Sequence, residues 1–118
     1  MRWPSLLIVA LMAGTAITAA APDTAAAASY KPCKPVVDPY PGTRYEGVDL
    51  SRIRTLRASC RTARHVTRKA HHKALRIPVA AGPIRRFTWH GWRVKGDLRP
   101  AEDRYIARKG TRRVRWRF

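Results

Sequence analysis

Residues 59–76 read Ser-Cys-Arg-Thr-Ala-Arg-His-Val-Thr-Arg-Lys-Ala-His-His-Lys-Ala-Leu-Arg, and this stretch decides the fold. Basic residues fill most positions, but the apolar positions recur at the spacing of one helical face. These apolar positions are Cys60, Ala63, Val66, Ala70, Ala74 and Leu75. Ser59 is a favourable N-cap, and Pro78 ends a helix at or before Ile77. The pattern predicts a helix over residues 60–76.

The sequence after the helix predicts strands. Residues 85–95 are rich in aromatic and β-branched side chains, which alternate in part with polar ones. Gly91 interrupts this alternation, and this predicts a strand bent or bulged at the glycine. A turn is expected to start at Gly96-Asp97, and residues 99–103 are expected to form a loop. Two further strands, residues 104–108 and 111–118, are predicted around Lys109-Gly110.

The last of these strands alternates cleanly between apolar and basic residues. Val114, Trp116 and Phe118 share one face, and Arg113, Arg115 and Arg117 share the other. Such alternation is typical of a strand with one buried and one solvated face, so Trp116 is predicted to lie in the core. The expected fold class is therefore α+β, with one helix packed on a small antiparallel sheet.

The sequence before the helix divides into an arm and the start of the domain. Residues 53–58 favour a short strand or extended piece. Residues 32–48 carry four prolines followed by Gly42, which predicts an extended arm with a Pro-Gly turn. We therefore expect a Pro-rich arm over residues 29–48 and a small basic domain over residues 49–118.

Residues 1–28 have the layout of a secretory signal peptide. Arg2 precedes an apolar run over residues 6–12, and an alanine-rich tail offers cleavage sites between residues 20 and 28. The alternative is a retained membrane anchor, but the apolar run is far shorter than the roughly 20 residues that a spanning helix needs. The sequence therefore predicts a secreted protein.

The two cysteines, Cys33 and Cys60, are expected to pair. An exported chain with an even number of cysteines implies a disulfide, and two cysteines allow a single pairing. The bond would close a loop of about 28 residues, worth roughly 3–4 kcal/mol in the chain-entropy model, and would hold the arm on the domain. Free thiols or a catalytic cysteine do not suit an oxidising compartment.

The net charge is the strongest functional hint. The chain carries 25 Lys and Arg residues against 7 Asp and Glu residues, a net charge of +18. Cleavage after residue 28 would remove Arg2 and Asp23, one charge of each sign, and would leave the net charge unchanged. The excess of arginine over lysine is typical either of bidentate recognition of phosphate or carboxylate or of codon bias in a GC-rich genome, and we favour codon bias. Codon bias does not explain why acidic residues are so few. Such a surface favours polyanions and releases them in salt.

The candidate binding residues fall on the helix and on the predicted strands. The polyanion-binding candidates are Arg61, Arg64, Arg68, Lys69, Lys73, Arg86, Arg93, Arg113, Arg115 and Arg117. Trp89 and Trp92 either belong to the core of a small domain or stack on a ligand. The apolar face of the helix is mostly alanine, which is not typical of a helix that binds a membrane surface.

From Ile53 to the end, the layout resembles a loose group of small secreted proteins of actinobacterial-type bacteria, known as domains of unknown function. The matching motifs are Ser-Cys-Arg-Thr-Ala-Arg at residues 59–64, Gly91-Trp92 and Val-Arg-Trp at residues 114–116. The resemblance implies export and this fold, and it implies no activity. Members of the group often carry cysteines where this chain has Val94 and Ala107, and the loss of both is expected if they were disulfide partners.

The sequence contains no recognisable catalytic, cofactor or metal motif. His65 and His72 lie two helical turns apart, about 10.5 Å, so one metal ion cannot bind both directly. We expect these two histidines, with His71 and His90, to be polar surface residues. The carboxylates show no pattern typical of acid–base catalysis, so no enzyme activity, cofactor or metal is predicted.

The leading hypothesis is a secreted, non-enzymatic protein that binds an anionic envelope or matrix polymer. The partner would be a wall polymer, an anionic lipid or extracellular nucleic acid. The alternative is a secreted cationic antibacterial or toxin-like protein, and killing of other cells by the protein would distinguish the two. A small hydrolase or nuclease is a third hypothesis, which a substrate screen would test.

Overall fold

A computed structural model describes residues 29–99 and 101–118, together with the isolated Gly14. The predicted signal peptide lies outside the described residues. Within them the elements are β1 (Lys31–Pro32), β2 (Ser51–Leu56), α1 (Cys60–Ala74), β3 (Ile84–Trp89), β4 (Trp92–Asp97), β5 (Arg104–Lys109) and β6 (Arg112–Arg117), with a 3₁₀ turn at Val79–Ala81. The predicted α+β class is confirmed.

The strands form one antiparallel sheet in the order β1-β2-β6-β5-β4-β3. Strands β3 to β6 form a meander, and β2 pairs with the edge of β6 that does not contact β5. Two tight turns, at residues 90–91 and 110–111, lie at one end of the sheet, which we call the hairpin end. The connection between β4 and β5 lies at the opposite end, which we call the loop end.

Helix α1 begins as the sequence predicts. The Ser59 hydroxyl accepts a hydrogen bond from the Thr62 amide at 3.1 Å, which is the N-cap arrangement. The helix ends at Ala74 with Leu75 as its C-cap, two residues before the predicted end at Arg76. None of the helices in the described part of the chain is long and apolar enough to cross a membrane.

The core lies between α1 and one face of the sheet. The helix contributes Ala63, Val66, Ala70 and Ala74, and the strands contribute Ile53, Trp92, Val94, Tyr105, Ala107, Val114 and Trp116. The small alanine side chains allow the helix to approach the aromatic rings of the sheet closely. Trp116 is 1% exposed, so its predicted place in the core is confirmed, and Trp92 is 4% exposed and also belongs to the core.

The prediction of a single strand bent at Gly91 is wrong, because residues 84–97 form a hairpin. Trp89 lies directly opposite Trp92, so the loop contains two residues. Both loop residues have positive φ, 45° at His90 and 80° at Gly91, as a type I′ turn requires. His90 adopts a conformation that histidine tolerates better than most side chains.

The prediction of a turn at Gly96-Asp97 is also wrong, because β4 continues through Asp97. Gly96 pairs with Tyr105 on β5. Because Gly96 has no side chain, the aromatic ring of Tyr105 can occupy the space beside it. The chain leaves the sheet only at Leu98, whose amide donates to the Pro83 carbonyl at 2.9 Å.

The predicted arm is folded onto the domain. The disulfide between Cys33 and Cys60 is present, with Cα atoms 5.4 Å apart. The Cys33 amide donates to the Ile53 carbonyl at 2.8 Å, and Val36 forms a bridge with Leu50. Tyr40 is buried. The arm is therefore joined to β2 and to the helix, and it covers part of the core.

Candidate polyanion-binding surface

Most side chains on the face of the sheet that is turned away from α1 belong to lysine or arginine. Side chains alternate along β2, β4, β5 and β6, and their apolar members face the helix. Most of the opposite members are cations. We call this set the sheet cation face: Arg54, Arg86, Arg93, Lys95, Arg104, Arg108, Arg113, Arg115 and Arg117.

The register places these cations directly opposite one another on neighbouring strands. The opposed pairs are Arg54 with Arg115, Arg86 with Lys95, Arg93 with Arg108, Arg108 with Arg113, and Arg104 with Arg117. Directly opposed side chains have Cβ atoms about 5 Å apart, and like charges at that distance destabilise a sheet. The free protein gains no stability from this arrangement, which is typical of a surface that binds anions.

Carboxylates neutralise little of this face. Asp97 lies at its loop end, but its side chain forms a 2.8 Å ion pair with Arg99 outside the face. The hydrogen bonds from Arg99 lower the pKa of Asp97 to about 2. Glu102 lies 3.9 Å from Arg117, and both partners are partly exposed, so this pair contributes little.

The face is therefore most positive towards the hairpin end. Arg93, Arg108 and Arg113 form a row across three adjacent strands there, with Arg108 in the middle. The described ion pairs, those of Asp97 and Glu102, both lie towards the loop end. These three arginines, which we call the arginine row, lie on adjacent strands with no neutral residue between them.

The sheet cation face has few aromatic or apolar groups. Ile106 lies near its centre and is half-buried. Tyr30 lies at its edge, with its ring centroid 4.4 Å from the Arg115 guanidinium carbon. Single-stranded nucleic acid binders commonly stack bases on exposed rings, and membrane binders insert bulky apolar groups. Among the described residues, this face offers arginine groups rather than either of those.

The two stacking candidates lie on the other side of the sheet. Trp92 is buried in the core, so its ring has no free face for a ligand. Trp89 is half-buried against the core, and its ring centroid lies 5.7 Å from that of His65 on the helix. Neither ring belongs to the sheet cation face.

The helix cations form a second basic surface, separate from the first. Since α1 packs on the inner side of the sheet, its exposed Arg61, Arg64, Arg68 and Lys69 point away from the sheet cation face. Lys73 differs from them, because its ammonium donates to the Thr88 carbonyl at 2.6 Å and ties the helix to β3. The structure thus divides the sequence-predicted set into two surfaces on opposite sides of the molecule.

The expectation that His71 is a polar surface residue is wrong, because its side chain is fully buried. Its Nδ1 is hydrogen-bonded to the Tyr40 hydroxyl at 2.8 Å, and its ring centroid lies 4.2 Å from that of Phe118. Burial lowers the pKa of His71 to about 3, and the charge of Arg85 acts in the same direction. His71 is therefore neutral and structural, and it connects the arm to the helix.

Arg85 is the exception among the basic residues, since it is 7% exposed and lies on the inner face of β3. Its guanidinium donates to the Ala74 carbonyl at the end of α1, at 3.0 Å. A cation at that position is favourable, because the helix dipole places partial negative charge there. Burial raises the pKa of the nearby Tyr105 to about 12, so its hydroxyl stays protonated.

No group of three or more His, Cys, Asp or Glu side chains within residues 29–99 and 101–118 is arranged to hold a metal ion. The members of the sheet cation face that sequence reasoning missed are Arg54, Lys95, Arg104 and Arg108. The alternation of Arg104 and Arg108 with Tyr105 and Ala107 could have indicated the last two.

Comparison of the chain with protein-family models, with curated proteins and with solved structures found no match.

Proposed function

We propose that this protein is an exported, non-enzymatic binder of an anionic polymer of the cell envelope or extracellular matrix, and that it binds through the sheet cation face. The observation that carries the proposal is the row of opposed arginines Arg93, Arg108 and Arg113, which lies on the face of the sheet that is turned away from α1. Their mutual repulsion is relieved when an anionic chain lies across them.

The export part of the proposal rests on two observations. Residues 1–28 have the pattern of a signal peptide. The disulfide between Cys33 and Cys60 fits a chain that matures in an oxidising compartment.

The position of the arginines, side by side on the sheet cation face, favours a phosphate-bearing polymer. The planar guanidinium group donates in a fork that matches two phosphate oxygens, whereas an ammonium group acts as a point charge. Lys95 is the one lysine of the sheet cation face. A linear polymer with phosphate groups along its backbone, such as a teichoic-type wall polymer, therefore fits this surface better than a membrane or a stacked nucleic acid.

Two triple variants of equal net charge test the proposal. The sheet variant carries Arg93→Gln, Arg108→Gln and Arg113→Gln, and the helix variant carries Arg61→Gln, Arg64→Gln and Arg68→Gln. Both variants and the wild type are produced from the full sequence. Their affinity for purified poly(glycerol phosphate), immobilised at low density, is measured across a salt series.

The sheet variant should bind at least 30-fold more weakly than the wild type at low salt, and the slope of log affinity against log salt should fall by about 2. The helix variant should lose clearly less affinity than the sheet variant, because it keeps the sheet cation face intact. Equal losses in both variants would show that net charge alone drives binding, and this would reject the sheet cation face as the site. A wild type with no measurable affinity would reject the proposed function.

Pectate, duplex DNA and anionic vesicles serve as comparison ligands at matched charge. Tighter binding to poly(glycerol phosphate) than to pectate would support recognition of phosphate by the arginines. Tighter binding to the vesicles or to DNA would assign the surface to that partner instead.

A further inference from the structure

We propose that this protein bridges two strands of phosphate-bearing polymer, with one strand on the sheet cation face and the second on the exposed face of α1. The inference rests on the proposed function, because it requires that the sheet cation face binds such a polymer. It goes further by assigning a second binding surface and a cross-linking role.

The second surface is built from the helix and the arm together. We call it the helix cation face: Lys34, Arg61, Arg64, Arg68 and Lys69. The disulfide holds Lys34 beside the first turns of α1. A depression of about 700 Å³ lies there, lined by Pro32, Cys33, Lys34, Cys60, Arg61, Arg64, His65 and Arg68. Its lining contains cations and no carboxylate.

The helix cation face is also unfavourable in the free protein. Arg64 lies three residues after Arg61 and four residues before Arg68, and like charges at these spacings destabilise a helix. None of the ion pairs found among the described residues involves this face. Arg64 donates to the Pro35 carbonyl at 3.3 Å, which fixes part of the surface in place. The surface is thus preformed and lacks a protein partner of opposite charge.

The two cation faces are far enough apart to be occupied together. The two faces lie on opposite sides of the core between α1 and the sheet. Packed layers of secondary structure have backbones about 10 Å apart. Arginine side chains extend outwards on both sides, so two bound polymer strands would lie on the order of 20 Å apart. The Debye length at physiological salt is about 8 Å, so the strands would repel each other only weakly.

The occupant of both faces is the same kind of polymer. Each face presents mostly arginine. Among the described residues, neither face presents an exposed aromatic platform, and the bulky apolar group near the centre of the sheet cation face, Ile106, is half-buried. A single strand that wraps around the molecule is the competing geometry, and it would occupy both faces without linking anything.

A sandwich capture assay separates bridging from wrapping. Poly(glycerol phosphate) is immobilised on beads at low density, the protein is bound, and the excess is washed away. Fluorescent poly(glycerol phosphate) is then added, and its capture is measured together with the amount of protein on the beads. The wild type, the helix variant and the sheet variant defined above are compared, and each is checked for native near-UV circular dichroism.

The wild type should capture the fluorescent polymer. The helix variant should still bind the beads through the sheet cation face, but it should capture at least 10-fold less polymer per bound molecule. A charge-conserving variant with Arg61→Lys, Arg64→Lys and Arg68→Lys should recover most of the capture. Normal capture by the helix variant would overturn the inference, because the second strand would then be held by wrapping, by self-association or by the sheet alone.

The outcome also separates this inference from the proposed function. If the wild type binds the beads and captures nothing, the bridging role fails and the binding role stands. If the wild type does not bind the beads, both fail.

Discussion

The ring of Tyr105 lies against Gly96 on the neighbouring strand, so closely that a Cβ atom on the glycine would be 2.4 Å from the Cε1 atom of the ring. The same ring stacks on Trp116, with centroids 5.2 Å apart and planes 3° apart. Gly96 therefore leaves room for an aromatic pair at the centre of the sheet, beneath the sheet cation face.

Replacement of Gly96 by alanine should destabilise the fold. The new methyl group would displace the Tyr105 ring, and such overpacking costs about 1–3 kcal/mol. Gly42→Ala is the control, since Gly42 has positive φ but no atom within 4 Å of an added Cβ, so only backbone strain is introduced. Urea unfolding of both variants measures the difference. A loss at Gly96 no larger than the loss at Gly42 would contradict this packing role.

His71 should make the free energy of unfolding depend on pH. Its pKa is lowered by burial from 6.5 to about 3, so the unfolded chain binds the proton at higher pH than the folded chain does. Stability is therefore fully present above about pH 6.5 and falls as the pH drops towards 3, by on the order of 3–5 kcal/mol.

The slope of stability against pH between 4 and 6.5 is the measurement. It should be reduced in His71→Gln and retained in His72→Gln, because His72 is exposed on the same helix. Equal slopes in the two variants would show that groups other than His71 dominate the acid response.

Removal of the disulfide should cost about 3–4 kcal/mol, because the bond closes a loop of about 28 residues. The double variant Cys33→Ala with Cys60→Ala is compared with the wild type by thermal unfolding. The arm should then be held mainly by Tyr40 and by the Val36 bridge, and limited proteolysis should cut it faster than the rest of the chain. An unchanged melting temperature would show that the arm is fixed without the covalent bond.

Val94 and Ala107 lie directly opposite each other on β4 and β5, and both are buried. Opposed residues of antiparallel strands have Cα atoms about 4.5–5.5 Å apart, which is within the range of a disulfide. Val94→Cys with Ala107→Cys should therefore oxidise to a second bond, as thiol titration would show. Val94→Cys with Ile106→Cys should keep free thiols, since those side chains lie on opposite faces. Oxidation of the second pair alone would show that the register differs.

Replacement of Arg108 by glutamine should stabilise the free protein and weaken polymer binding. Arg108 lies between Arg93 and Arg113, so its loss should add about 0.3–1 kcal/mol of stability at low salt. The gain should shrink at 1 M salt, where the charges are screened. Destabilisation by Arg108→Gln at low salt would contradict the repulsion.

Patterns within short stretches of the sequence predicted the elements that depend mainly on interactions between residues close together in the chain. The apolar spacing after Ser59 predicted α1, and the alternation ending in Trp116 predicted β6 and its buried face. The hairpin at His90-Gly91 was missed because the preferred signals for such turns are Asn-Gly and Asp-Gly. The continuation of β4 through Gly96 was missed because the reason for that glycine, the Tyr105 ring, lies on another strand.

The candidate surface could not be predicted from short stretches of sequence, because it is formed by residues that lie far apart along the chain. Arg54 lies opposite Arg115, far along the chain, and only the sheet order brings them together. The sequence likewise grouped Arg61 and Arg113 as one basic set, although they lie on opposite sides of the molecule. The burial of His71 depends on Tyr40, which is 31 residues earlier in the chain.

The placement of the cations within hydrogen-bonded elements has a consequence for resistance to proteolysis. Proteases that cut after arginine and lysine need a locally unfolded, extended segment, which strands and helices do not supply. In the described part of the chain, the basic residues outside these elements are Lys34, Arg44, Arg57, Arg76 and Arg99. Lys34 and Arg99 are each followed by proline, which such proteases do not accept on the leaving side. A chain rich in cleavage sites thus presents very few of them to digestion.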